Sequence, residues 1–167
     1  MAAGTPAMVE LDRAGVAYSA HEFRHDGATR GFGLAAAEAI GVDPDRVFKT
    51  LLAQATFGPG APGGGAATVV GIVPVSAQLS LKELAAAVGA KRAEMCPPDA
   101  AERITGYVVG GISPFGQKKR LRTVIDETSE LSDTIFVSGG RRGLDLELAP
   151  ADLIAVLDAV VAPIAVW

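Results

Sequence analysis

VFKTLLAQAT (Val47–Thr56) and TVVGIVPV (Thr68–Val75) flank the glycine- and proline-rich stretch FGPGAPGGGAA over residues 57–67. Both flanking runs are apolar, of strand length, and bounded by strong turn formers, which marks them as buried strands. The connection carries no core residue beyond Phe57, so it is expected to be a hairpin loop rather than a domain linker. Two strands joined by a hairpin pair antiparallel. The first of them is apolar on both faces yet holds Lys49 in its middle, a costly position for an ammonium unless it is exposed or used.

On the N-terminal side, Thr5-Pro6 reads as an N-cap followed by proline at the first helical position, opening a short helix that Gly15 stops. Val16–Arg24 reads as a strand, HDGATRGFG (25–33) as a loop, and LAAAEAI from Leu34 as a helix ended by Gly41, with Asp43-Pro44 restarting the chain. On the C-terminal side, Ser80 to Glu83 forms a capping box for a helix that Gly89 closes. AKRAEM reads as a short strand and PPDAAERITG as a helical piece. Tyr107–Val109 is expected to be a strand leading into Gly110. Arg122–Glu127, Thr134–Ser138 and Leu144–Leu148 supply three more strands, the last two joined by GGRRG as a hairpin. A final amphipathic helix from Pro150 would carry Leu153, Val156, Leu157 and Val160 on one face. Strands with interspersed helices and no regular βαβ alternation give an α+β fold. Its core is a mixed, largely antiparallel sheet, barrel-like, with surrounding helices.

At 167 residues and 49% hydrophobic content the chain fits one domain over residues 1–167 that buries a core without disulfides or metal. The single Cys96 excludes an internal disulfide, no Cys/His spacing reads as a zinc site, and no signal-peptide or membrane-spanning pattern is present, so a cytoplasmic location is expected. A net charge of −4 argues against holding nucleic acid by bulk charge, and 5% aromatic residues leave little for a base-stacking platform.

The chemistry-bearing candidates gather in TGYVVGGISPFGQKKRLR (Thr105–Arg122) and SGGRRGLD (Ser138–Asp145). GISPFGQK approaches a phosphate loop, but Gln117 follows the second glycine and no helix is signalled there, so a nucleotide-triphosphate site is rejected. What remains is a turn whose backbone N–H groups could face an oxyanion, or an ordinary tight turn. Lys49 is open to two readings, a ligand contact or a side chain reaching from a sheet edge to water. Ser138 and Asp145 stand on two paired strands, as ligand contacts or as a capped hairpin with a solvated carboxylate. Cys96 reads as a packing cysteine and the His21/His25 pair as no metal site. Lys118, Lys119, Arg120 and Arg122, with Arg141 and Arg142, are the dense cations, a solvated loop or a local phosphate clamp.

FKTLL at 48–52, TGYVVGGISPFGQKKRL from Thr105 and VSGGRRGLDLEL from Val137, in that order, resemble the YbaK/EbsC family of aminoacyl-tRNA deacylases, which is similar to the editing domain of bacterial prolyl-tRNA synthetases. The likeness runs from the first helix through the last. It implies a hydrolase that clears cysteine from mischarged proline tRNA in trans, with the substrate's own thiol attacking the ester. It implies Lys49, Gly110, Gly111 and Ile112 as catalytic positions and Thr50, Ser113, Pro114, Ser138, Gly139 and Asp145 as substrate-binding ones. Phe23 stands where the family has a tyrosine and is left as a wall. Lys118, Lys119, Arg120, Arg141 and Arg142 would meet the tRNA acceptor end. The implied partner is prolyl-tRNA synthetase, and no cofactor or metal is implied. Two alternatives stay open: a deacylase for another residue such as alanine on proline tRNA, and a non-catalytic tRNA-binding module.

Overall fold

The computed structural model describes residues 4–25, 31–60 and 65–167; parts of the loops expected over 25–33 and 57–67 lie outside the described residues. Helix α1 (Pro6–Ala14) leads to strand β1 (Ser19–Glu22) and α2 (Phe32–Ile40). A 3-10 turn, Pro44–Arg46, then enters β2 (Phe48–Thr56), β3 (Ala66–Pro74) and β4 (Gln78–Leu79). The chain continues through α3 (Leu81–Val88), β5 (Arg92–Met95), α4 (Pro98–Thr105) and β6 (Arg122–Asp126). A second 3-10 turn, Glu127–Leu131, precedes β7 (Ile135–Arg141), β8 (Leu144–Leu148), α5 (Pro150–Leu157), β9 (Val160–Ala162) and β10 (Ala165–Val166).

The β2–β3 hairpin is the spine. Its register runs from Phe48 opposite Pro74 to Thr56 opposite Ala66, and the Phe57 N–H continues it to the Gly65 carbonyl at 2.7 Å. Strand β5 adds antiparallel to β2, whereas β6 joins β3, and β9 joins β6, in parallel. The result is a five-stranded sheet ordered β5-β2-β3-β6-β9. A second, antiparallel sheet is ordered β1-β8-β7, and β4 pairs with β10. The fold is α+β with open sheets; the strands do not close into a barrel. An isolated parallel bridge from Val47 to Phe136 ties the edge of the first sheet to the second.

Period-two alternation on β3 explains why both faces of the main sheet are covered. Val70 and Ile72 enter one core with Phe48, Leu52, Phe115, Ile135, Leu144, Leu146 and Leu153. Val69 and Val73 enter another with Ala53, Ala55, Leu84, Val88 and Ile164, beneath α3. Helix α3 starts where Ser80 Oγ accepts from the Glu83 N–H at 3.2 Å and stops at left-handed Gly89, as the capping pattern predicts. Helix α1 does likewise between Thr5 and Gly15.

Three expectations need correction. Val16 does not open the first strand, because its N–H caps α1 through the Leu11 carbonyl at 3.1 Å, and pairing begins only at Ser19. Tyr107–Val109 is a turn: the Tyr107 N–H goes to Thr105 Oγ1 and the Val109 N–H to Glu102 Oε2, which leaves no ladder to join. Val160 is not on the face of the last helix, since α5 ends at Leu157 with Asp158 left-handed (φ 51°), and Val160 pairs with Val124 in β9.

Candidate active site

Strand β8 holds the site's acidic group. Leu144, Leu146 and Leu148 face the core, so the alternate positions Asp145 and Glu147 face the other way. Asp145 registers opposite His21 on β1 and Ser138 on β7. That face opens into a cleft of about 310 Å³. Lys49, Thr50 and Leu52 from β2, Cys96 and Ala101 from the β5–α4 region, Val109, Gly110 and Ile112 from the turn, and Phe32 from α2 are among its walls.

Several polar groups around this cleft lack a partner among the described residues, although Ser138 and Arg142 have one. Lys49 and Asp145 have no side-chain hydrogen bond or ion pair among the described residues. Burial lowers the Lys49 pKa from its ordinary value. Burial also pushes Asp145 up to about 6, with His21 acting weakly in the opposite sense. Thr50 is 8% exposed, and its hydroxyl is an orphan, a costly state for a buried donor. The amides of Gly110 and Ile112 likewise lack an acceptor among the described residues.

Not every expected residue reaches the cleft. Lys49, Thr50, Gly110, Ile112, Ser138, Asp145, Phe23 and Arg142 line it. Gly111 serves close packing instead: a Cβ there would lie 2.8 Å from the Arg141 Cα, and its N–H is spent on the Val108 carbonyl at 2.8 Å. Ser113 is fully buried and caps the Phe115 N–H; Pro114 is buried beside it. Gly139 makes room for Leu144 and Leu146.

The cations divide as well. Arg141 pairs with Glu22 at 2.8 Å on the surface. Arg120 bonds the Val156 carbonyl and lines a separate open groove with Glu10 and Arg13. Lys118 and Lys119 are exposed, the former with its stem over Gly106. Arg142 stacks its guanidinium 4.5 Å from the Phe32 ring centre. Sequence reasoning missed Phe32, which it read as loop, and the cleft position of Cys96, whose thiol pKa burial raises. For Phe32, the signal available was an aromatic side chain between two glycines of GFG. Among the described residues no group of three or more His, Cys, Asp or Glu could hold a metal ion.

Residues 33–156 match the aminoacyl-tRNA editing domain family. A protein of Enterococcus faecalis (strain ATCC 700802 / V583), provisionally named Cys-tRNA(Pro)/Cys-tRNA(Cys) deacylase EbsC, is 38% identical over 120 residues, covering 72% of this chain and 68% of its own. Two solved structures share the fold. The crystal structure of hypothetical protein APE2540 superposes with a TM-score of 0.82 at 21% identity, covering 97% of this chain and 100% of its own. That of a candidate trans-editing enzyme for prolyl tRNA synthetase gives 0.78 at 22% identity, covering 99% and 100%. The chain therefore belongs to the aminoacyl-tRNA editing domain family, a class of aminoacyl-tRNA hydrolases. Among the described residues no helix is long and apolar enough to cross a membrane.

Proposed function

We propose that this chain hydrolyses cysteine from mischarged proline tRNA, acting in trans beside prolyl-tRNA synthetase in the cytoplasm. The observation that carries the reading is that the side chains of Lys49, Thr50 and Asp145 and the amides of Gly110 and Ile112 have no hydrogen-bond partner among the described residues, and that all five residues line one cleft. Groups left unsatisfied in the free protein are those a bound ester end would satisfy. A volume of about 310 Å³ is at the lower end for small-ligand sites. It admits an aminoacyl ribose, while the tRNA stem stays outside.

Among the described residues no side chain of the cleft is set up as an activated nucleophile. Ser138 Oγ accepts from the Gly140 N–H, His21 Nε2 meets Glu147 Oε1 at 2.9 Å, and burial raises the pKa of the Cys96 thiol, which disfavours its thiolate. The substrate's thiol therefore supplies the nucleophile. Its sulfur attacks the ester carbonyl, the Gly110 and Ile112 amides receive the oxyanion, and collapse expels the ribose hydroxyl. Water then opens the thiolactone to free cysteine. Lys49 holds the terminal adenosine or a nearby phosphate, and Asp145 with Ser138 positions the ribose or the α-ammonium. The cations outside the cleft are few, and the chain's net charge is −4, so tRNA affinity is weak without a helper.

Purified protein assayed on proline tRNA charged with cysteine, alanine, serine or proline tests this directly. Rapid release of cysteine alone is expected. Equal rates for serine would eliminate thiol assistance, and release of alanine instead would favour a positioned water.

A further inference from the structure

Arg142 belongs by composition to the surface cations, yet its contacts are those of a structural pin on the turn that carries Gly110. The Val108 carbonyl accepts from the Gly111 N–H at 2.8 Å, closing a four-residue turn over Val108–Gly111. Gly110 at its third position has φ +88°, the value of a type II turn. The type I and type II forms differ by a flip of the central peptide, here the Val109 carbonyl and the Gly110 N–H. Both ends of Val109 are held. Its N–H donates to Glu102 Oε2 at 2.8 Å and its carbonyl accepts from Arg142 Nε at 2.8 Å. Because the peptide is trans, fixing the carbonyl fixes the Gly110 N–H on the opposite side. After a flip that N–H would face the guanidinium, donor against donor.

Phe32 completes the device. A Cβ on Gly110 would sit 2.6 Å from the Phe32 ring, so the ring lies directly on the glycine, and the Arg142 guanidinium stacks on the same ring. The stack holds the planar group over its acceptor in a way that a lysine ammonium, a point charge without a fork, would not reproduce.

We propose that Arg142 is a positioning residue for deacylation: through the Val109 carbonyl it holds the Gly110 amide in the orientation that receives the oxyanion, and its contribution is to turnover rather than to tRNA affinity. The inference rests on the deacylase reading above. It is tested with Arg142→Met, which keeps the length without a donor, and Arg142→Lys, which keeps the charge. Both substitutions are expected to lower kcat on Cys-tRNA(Pro) about 10- to 100-fold, less than outright loss of an oxyanion donor, with KM and its salt dependence little changed. Both should also move the Gly110 amide signal in ¹H–¹⁵N spectra of the free protein. A phosphate contact would give the other pattern, with Arg142→Lys near wild type and Arg142→Met raised in KM at unchanged kcat, and that result overturns the inference. An unmoved Gly110 signal also overturns it. If the unsubstituted protein releases no amino acid, the deacylase reading fails, while the Gly110 signal still decides whether Arg142 pins the turn.

Discussion

Asp126 and Asp145 are both buried carboxylates on sheet strands, exposed to 2% and 6%, and their surroundings are opposite. Asp126 accepts from the Ile164 and Ala165 amides at 2.9 and 2.8 Å and from the Thr128 N–H and hydroxyl. It welds the chain's last strands to the end of β6. Asp145 accepts nothing from the described residues, and burial raises its pKa to about 6. The saturated carboxylate serves the architecture, whereas the unsaturated one stands on the cleft wall, where it can accept from a ligand. The same contrast separates two threonines, Thr128 bonded to Asp126 and Thr50 orphaned at the cleft.

The largest expected effect falls on the saturated side. Asp126→Ala leaves four donors without their acceptor and should cost about 3–5 kcal/mol in urea denaturation, with cysteine release per folded molecule unchanged. Asp145→Asn should act in reverse. A folded-state pKa raised from 3.8 to about 6 means the ionised carboxylate opposes folding, a penalty that is absent below about pH 4, grows between, and is complete above pH 6. The asparagine variant should therefore be more stable than the unsubstituted protein by about 1–3 kcal/mol near neutral pH, with no difference near pH 4, while deacylation falls steeply. A loss of stability at neutral pH would mean that Asp145 is a structural group after all. Thr50→Val is the smallest test. Removing a buried hydroxyl that bonds nothing among the described residues should leave stability unchanged or raise it by about 1 kcal/mol, and slowed turnover with no loss of stability would sharpen the contrast with Thr128.

What could be read along the chain was whatever local pattern dictates. The apolar runs around FGPGAPGGGAA gave the β2–β3 hairpin, Ser80 and Gly89 bounded α3, and the GGRRG turn put Ser138 and Asp145 on two paired strands. Long-range partners were not legible. Asp126 meets residues 38 and 39 positions away, and nothing near Val160 announces a parallel seat on β6. Tyr107–Val109 looked like a strand because its apolar residues fit one. Its backbone is claimed by Thr105 and Glu102 side chains, a competition that propensity cannot express. Within the candidate site, GGISP drew attention to this turn but not to the different contacts inside it, since Gly111 packs against the neighbouring hairpin while Gly110 lines the cleft. Arg141 and Arg142 are adjacent and chemically identical, yet one pairs with Glu22 and the other holds the Val109 carbonyl. Only tertiary placement distinguishes them.

The central claim is that this cleft binds the aminoacyl ester and promotes its cleavage, and Lys49→Ala tests it most directly. Single-turnover release of cysteine from Cys-tRNA(Pro) should fall at least about 100-fold in a protein whose thermal unfolding is unchanged or slightly improved, because a half-buried ammonium without a partner among the described residues is a cost to the fold. Release at the rate of the unsubstituted protein would contradict the account.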